Sequence, residues 1–85
     1  MNQDEVIKAG RELPERYADR VSPEVLDGMQ LMRDGGEYGE LVGLLTAALA
    51  KSSVPITAAE RDELRELVEA AGEGGEYVDG LTVRD

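Results

Sequence analysis

Residues 35–49 read GGEYGELVGLLTAAL. Two adjacent glycines stop one helix. From Tyr38 onward, Leu41, Val42, Leu45, Ala48 and Leu49 then recur at helical spacing. They form a broad apolar stripe with Leu44 at its margin. The opposite side carries Gly43, Ala47 and Ala50, which are small rather than charged. A helix apolar on one side and small on the other belongs at the centre of a bundle, where small residues admit a close neighbour.

Working outward, the segment before Gly35 has the punctuation of a second helix. Ser22 caps it, Pro23 occupies the first helical position and Glu24 complements the positive N-terminal dipole. Val21 and Leu26 are spaced as a hydrophobic staple. Val25, Met29 and Met32 follow at i, i+4, i+7, and Gly35 is the expected left-handed residue past the end. On the far side, Thr57-Ala58-Ala59-Glu60 is a capping box opening another helix. Its Leu64, Leu67, Val68 and Ala71 face inward and Gly72 ends it. The first segment places Val6, Gly10, Leu13 and Tyr17 on one side. Pro14 predicts a stop near Arg11, with a short turn beyond, because the residue before proline resists the α region, and Gly10 weakens that helix further. The tail adds one turn, with Tyr77, Val78 and Leu81 packing back. No stretch alternates as a strand does. The reading is all-α: a small bundle of about four helices with short loops and a C-terminal tail or short extra turn, in one domain over residues 1–85.

The string GGEY occurs again at Gly74, Gly75, Glu76 and Tyr77. A duplicated unit is one explanation, but the caps do not align, since Ser22 would match Arg61. Convergence explains the repeat better. Both copies are expected to stop a helix, turn and bring an aromatic onto the core. Gly36 is expected to hold the positive φ of the first turn, with Tyr38 lying against Leu41, Val42 and the second helix.

The chain has no cysteine and no histidine, which removes disulfides, zinc sites of those ligands, and thiol or imidazole catalysis. The start MNQDEVIKAG lacks the basic and apolar runs of a signal peptide, and no apolar run reaches the roughly 20 residues of a membrane span. A soluble cytoplasmic protein is expected. The net charge of −10 argues against nucleic acid or an anionic membrane as partner. That charge is uneven: residues 53–85 hold nine acids and three bases, whereas residues 1–21 hold five and four.

Acyl carrier proteins share this size and acidity, but they need a serine in an Asp-Ser-Leu setting, and neither Ser22 nor Ser52-Ser53 has one. The acidic, glycine-rich stretch from Asp34 to Glu40 lacks EF-hand spacing. No phosphate-binding glycine loop is present. Solvated carboxylate pairs such as Asp62 and Glu66 do not have the perturbed environment a catalytic acid needs. These absences point to a binding protein without catalytic groups, cofactor or metal.

Residues 31–67, LMRDGGEYGELVGLLTAALAKSSVPITAAERDELREL, resemble the small helical immunity proteins of the MafI type. The match lies in a helix, GEYG, a helix ending in an L..AL pattern, a VPIT-like connector and a helix opened by an acidic capping segment. Gly36, Glu37, Tyr38, Gly39, Leu45, Leu49, Ile56 and Leu64 carry it. The resemblance implies an all-α protein that binds and neutralises a cognate domain of a polymorphic toxin, often a nuclease, in the producer's cytoplasm. Such toxins act in contact-dependent growth inhibition between bacteria. Independently, an acidic protein suits the positive cleft that a nuclease needs for its phosphates. An acidic regulator that mimics nucleic acid toward a DNA-binding protein is the alternative, and charge serving solubility alone is a third.

The expected contact surface is the outer face of the capping-box helix. There Asp62, Glu66, Glu69 and Glu73 fall within roughly 60° of one another, with no intervening base. Glu76 and Asp79 extend the field along the tail. A second candidate surface runs from Asp27 and Asp34 to Glu37 and Glu40.

Overall fold

The computed structural model describes residues 1–72 and 75–84. Five helices and one pair of very short strands follow in order: α1 (Gln3–Arg16), α2 (Pro23–Asp34), α3 (Tyr38–Lys51), β1 (Pro55–Ile56), α4 (Ala58–Ala70), α5 (Glu76–Asp79) and β2 (Thr82–Val83). The protein is all-α, as the periodicity predicts. Its central helix is α3, which packs against α1, α2, α4 and α5. The reason lies in its sequence: Leu41, Val42, Leu45 and Leu49 are fully buried, and Thr46 between them donates its hydroxyl to the Val42 carbonyl at 3.0 Å. Leu13 and Tyr17 of the α1 end, Met29 of α2, Leu64, Leu67 and Val68 of α4, and Val78 of α5 complete one core. The radius of gyration of 11.5 Å is that of a folded chain of this length.

Helix ends follow the sequence closely. Ser22 accepts the Val25 amide at 3.2 Å and Pro23 starts α2. Thr57 and Glu60 close a reciprocal capping box at 3.0 and 2.9 Å. Asn2 and Glu5 form another at the start of α1, which satisfies amides that would otherwise face solvent unpaired.

Several expectations need correction. Helix α1 does not stop near Arg11. It continues to Arg16 with Pro14 buried inside it. Proline removes one amide and crowds the carbonyl four residues back. Here only the last turn lies beyond Pro14, and that turn carries Tyr17 into the core. The burial of Leu13 and Tyr17, both at zero exposure, outweighs one missing hydrogen bond.

The left-handed residue after α2 is Gly36, at φ +72°, whereas Gly35 remains right-handed. The Gly36 amide donates to the Arg33 carbonyl at 3.0 Å and the Glu37 amide to the Met32 carbonyl at 2.8 Å, a full Schellman closure. The same closure ends α3 through Ser53 and Val54, with Ser53 at φ 51°. After α4 the positive φ falls on Gly72, and Gly75 instead caps α5. The described residues of the two GGEY strings therefore do different work, Gly74 lying outside them. Tyr38 is half-buried against Gly10 of α1, while Tyr77 is 53 % exposed and stays out of the core.

Gly43 does not admit a close neighbour, since a β-carbon there would meet nothing within 4 Å. The close approaches to α3 are at Gly10 of α1, where a β-carbon would lie 2.8 Å from the Tyr38 ring, and at Gly28 of α2, where it would lie 3.0 Å from Leu44. Strand content was also unforeseen: β1 and β2 pair in parallel, Pro55 with Thr82 and Ile56 with Val83. Two-residue strands have no room for an alternating pattern.

Candidate partner-binding surfaces

Helix α4 is aimed by what holds its two ends and its inner face. Leu64, Leu67 and Val68 are buried, so helical geometry turns Asp62, Glu66 and Glu69 outward, and all three are exposed. Of the wider set expected on this surface, Glu76 and Asp79 are exposed on α5, and Glu73 lies outside the described residues.

The acids differ in how far they are neutralised. Asp62 pairs with neighbouring Arg61 at 3.1 Å and Asp79 with Arg65 at 2.9 Å. The expectation of an acidic line extending freely along the tail is thus corrected at Asp79, because Arg65 reaches across from α4. Its guanidinium pKa is raised by that hydrogen bond. Glu66, Glu69 and Glu76 have no ion pair among the described residues. The unpaired carboxylates on this side therefore sit at the C-terminal half of α4 and the start of α5.

On the second surface Asp27, Asp34, Glu37 and Glu40 are all exposed. Arg33 bridges Asp34 at 3.4 Å and Glu15 at 2.8 Å, so one cation tempers this group as well.

The opposite flank of α4 holds a cluster that sequence reasoning missed. Arg20 grips Glu60 with two hydrogen bonds, 2.9 and 2.8 Å, while its guanidinium lies 4.2 Å from the centre of the Tyr17 ring. Arg16 pairs with Glu63 at 2.6 Å. Glu60 is thus both the capping-box carboxylate of α4 and the anchor of the loop after α1. Hydrogen bonding from Arg20, with help from the Thr57 amide, holds its pKa down to about 2, against the opposing effect of burial. Burial pushes the Tyr17 phenol up to about 12, reinforced by the nearby Glu60 charge. Its hydroxyl has no hydrogen-bond partner among the described residues. The capping box was legible as S/T-x-x-E spacing, but a contact 40 residues apart leaves no local trace.

This cluster fastens α1 to α4, and the shifts it imposes on Glu60 and Tyr17 lie away from neutral pH. Among the described residues no group of three or more acidic side chains converges to hold a metal ion. Nor, among those residues, is any helix long and apolar enough to cross a membrane. The chain matches no family model, no curated protein and no solved structure.

Proposed function

We propose that the chain is an immunity protein that binds a cognate bacterial toxin domain in the cytoplasm and neutralises it by direct blockade, without catalysis of its own. The observation that carries the reading is the exposed carboxylate face of α4, with Asp62, Glu66 and Glu69 together on one side and the last two outside any ion pair among the described residues. Such a face, on a chain of net charge −10, complements a positive cleft of the kind a nuclease presents to phosphates. The likeness of residues 31–67 to MafI-type proteins supports the same partner class. Blockade needs a rigid surface rather than a reactive group, and the ion pairs from Arg16 and Arg20 hold α4 in place from behind.

The direct test is to purify the chain with the toxin domain encoded beside its gene. An equimolar complex that abolishes nucleolytic activity is the expected result. If no complex forms, and the chain instead releases a DNA-binding regulator from its operator, the mimicry reading replaces this one.

A further inference from the structure

The outer face of α2 carries the most exposed large apolar side chain of the described residues, Leu31, at 76 % exposure. Exposed Glu24, Asp27 and Asp34 share that face with it, all within roughly 80° by helical geometry. Next to this face an open groove of about 360 Å³ runs between α2 and α3. Its walls are mainly Val25, Leu44, Ala47 and Ala48, with Lys51 at one end. Gly28 lies one turn before Leu31, and a β-carbon there would lie 3.0 Å from Leu44, which also lines the groove. Glu40, one turn before Leu44, adds a further exposed carboxylate on α3. α2 thus presents both a wall of the apolar groove and the exposed Leu31, with acids on the same helix, and Arg33, the cation on α2, is already committed to Glu15 and Asp34.

We infer that this α2–α3 face is a docking surface, separate from the α4 face, for an amphipathic basic segment of a partner protein. An apolar side chain of that segment enters the groove, Leu31 packs against its neighbours, and lysine or arginine side chains meet Glu24, Asp27 and Glu40. The inference rests on the proposal that the partner is basic, and charge complementarity selects the occupant. Apolar anchors ringed by charges divide the labour of binding: the charges set association and the anchors set residence time.

The test uses synthetic peptides and the intact chain. Probes are an amphipathic leucine–lysine helix, a lysine–serine peptide of equal charge and a neutral leucine–serine peptide, with binding followed by calorimetry and amide shift mapping. The leucine–lysine peptide is expected to bind most tightly, with shifts centred on Val25, Gly28, Leu31 and Leu44. Leu31→Ser and Ala47→Gln should each weaken it at least about tenfold while keeping the wild-type melting curve. Reversal of Glu66 and Glu69 to lysine should leave the shift pattern on α2 and α3 in place. Shifts on α4 alone, or equal binding of the lysine–serine peptide, overturn the docking surface and leave the basic-partner reading standing. Equal binding of the neutral peptide in the groove keeps an apolar docking surface but overturns its basic occupant. Failure of all three peptides to bind overturns the inference, as does concentration-dependent self-association through Leu31, which assigns the face to a second copy.

Discussion

Tyr17 is fully buried, yet its hydroxyl finds no partner among the described residues, and Arg20 covers its ring rather than its oxygen. A buried hydroxyl left unpaired costs about 1–3 kcal/mol, whereas the ring is wanted for packing. Tyr17→Phe should therefore leave stability unchanged or raise it by about 1 kcal/mol, read as the urea midpoint; a clear loss would mean the hydroxyl is satisfied. Glu60 behaves in the opposite sense. Its pKa falls from 4.5 to about 2 in the folded protein, chiefly through Arg20. The stabilisation this gives is present above the ordinary value and is lost as pH drops from 4.5 toward 2. For a partly exposed pair it amounts to roughly 1–2 kcal/mol after solvent screening. Glu60→Gln should accordingly be less stable than wild type near neutrality, with the gap closing as the pH is lowered through that window. A gap independent of pH would assign Glu60 a packing or capping role only.

At the level of elements, the ends of helices were the most legible part of the chain. Ser22-Pro23 and Thr57-x-x-Glu60 name their own geometry because a cap satisfies amides within three residues of itself. Left-handed positions were less legible, since two adjacent glycines can each serve and only the closing hydrogen bonds decide between Gly35 and Gly36. Ser53 is a sharper case: it holds φ 51° where glycine is favoured. Ser53→Gly should stabilise by roughly 0.5–1 kcal/mol, and Gly36→Val should cost about 1–3 kcal/mol through strain alone, because open space surrounds Gly36. Thermal melts of the two variants shifted the same way would refute this assignment. Local rules end α1 too early, because glycine and proline weaken a helix, whereas the reward for keeping it intact is tertiary. Gly10 lets the Tyr38 ring sit on α1, and a β-carbon there would lie 2.8 Å from the Tyr38 ring. Gly10→Ala should hence destabilise by about 1 kcal/mol or more, despite its better helix propensity. That penalty should disappear in a Tyr38→Ala background, which a double-mutant cycle measures.

For the molecule as a whole, periodicity exposed the central role of α3, since so broad an apolar stripe must be covered by several neighbours. The parallel β1–β2 contact was hidden, because it joins segments more than 20 residues apart through two residues each. The acidic surface was half legible. Spacing alone places Asp62, Glu66 and Glu69 on one side of α4, and their exposure agrees. Spacing does not reveal that Arg65 turns to Asp79 and Arg61 to Asp62, nor that Leu31 stands in the open on α2. What matters functionally is whether the remaining negative charge is used. The most direct measurement is the association rate of the proposed toxin partner with wild type and with the Asp62→Lys, Glu66→Lys, Glu69→Lys triple variant, each at low and high ionic strength. With α4 docked on a basic cleft, the triple variant associates at least about tenfold more slowly at low salt and loses most of its salt dependence, while its melting curve is retained. An unchanged rate and an unchanged salt dependence in the triple variant would contradict the account.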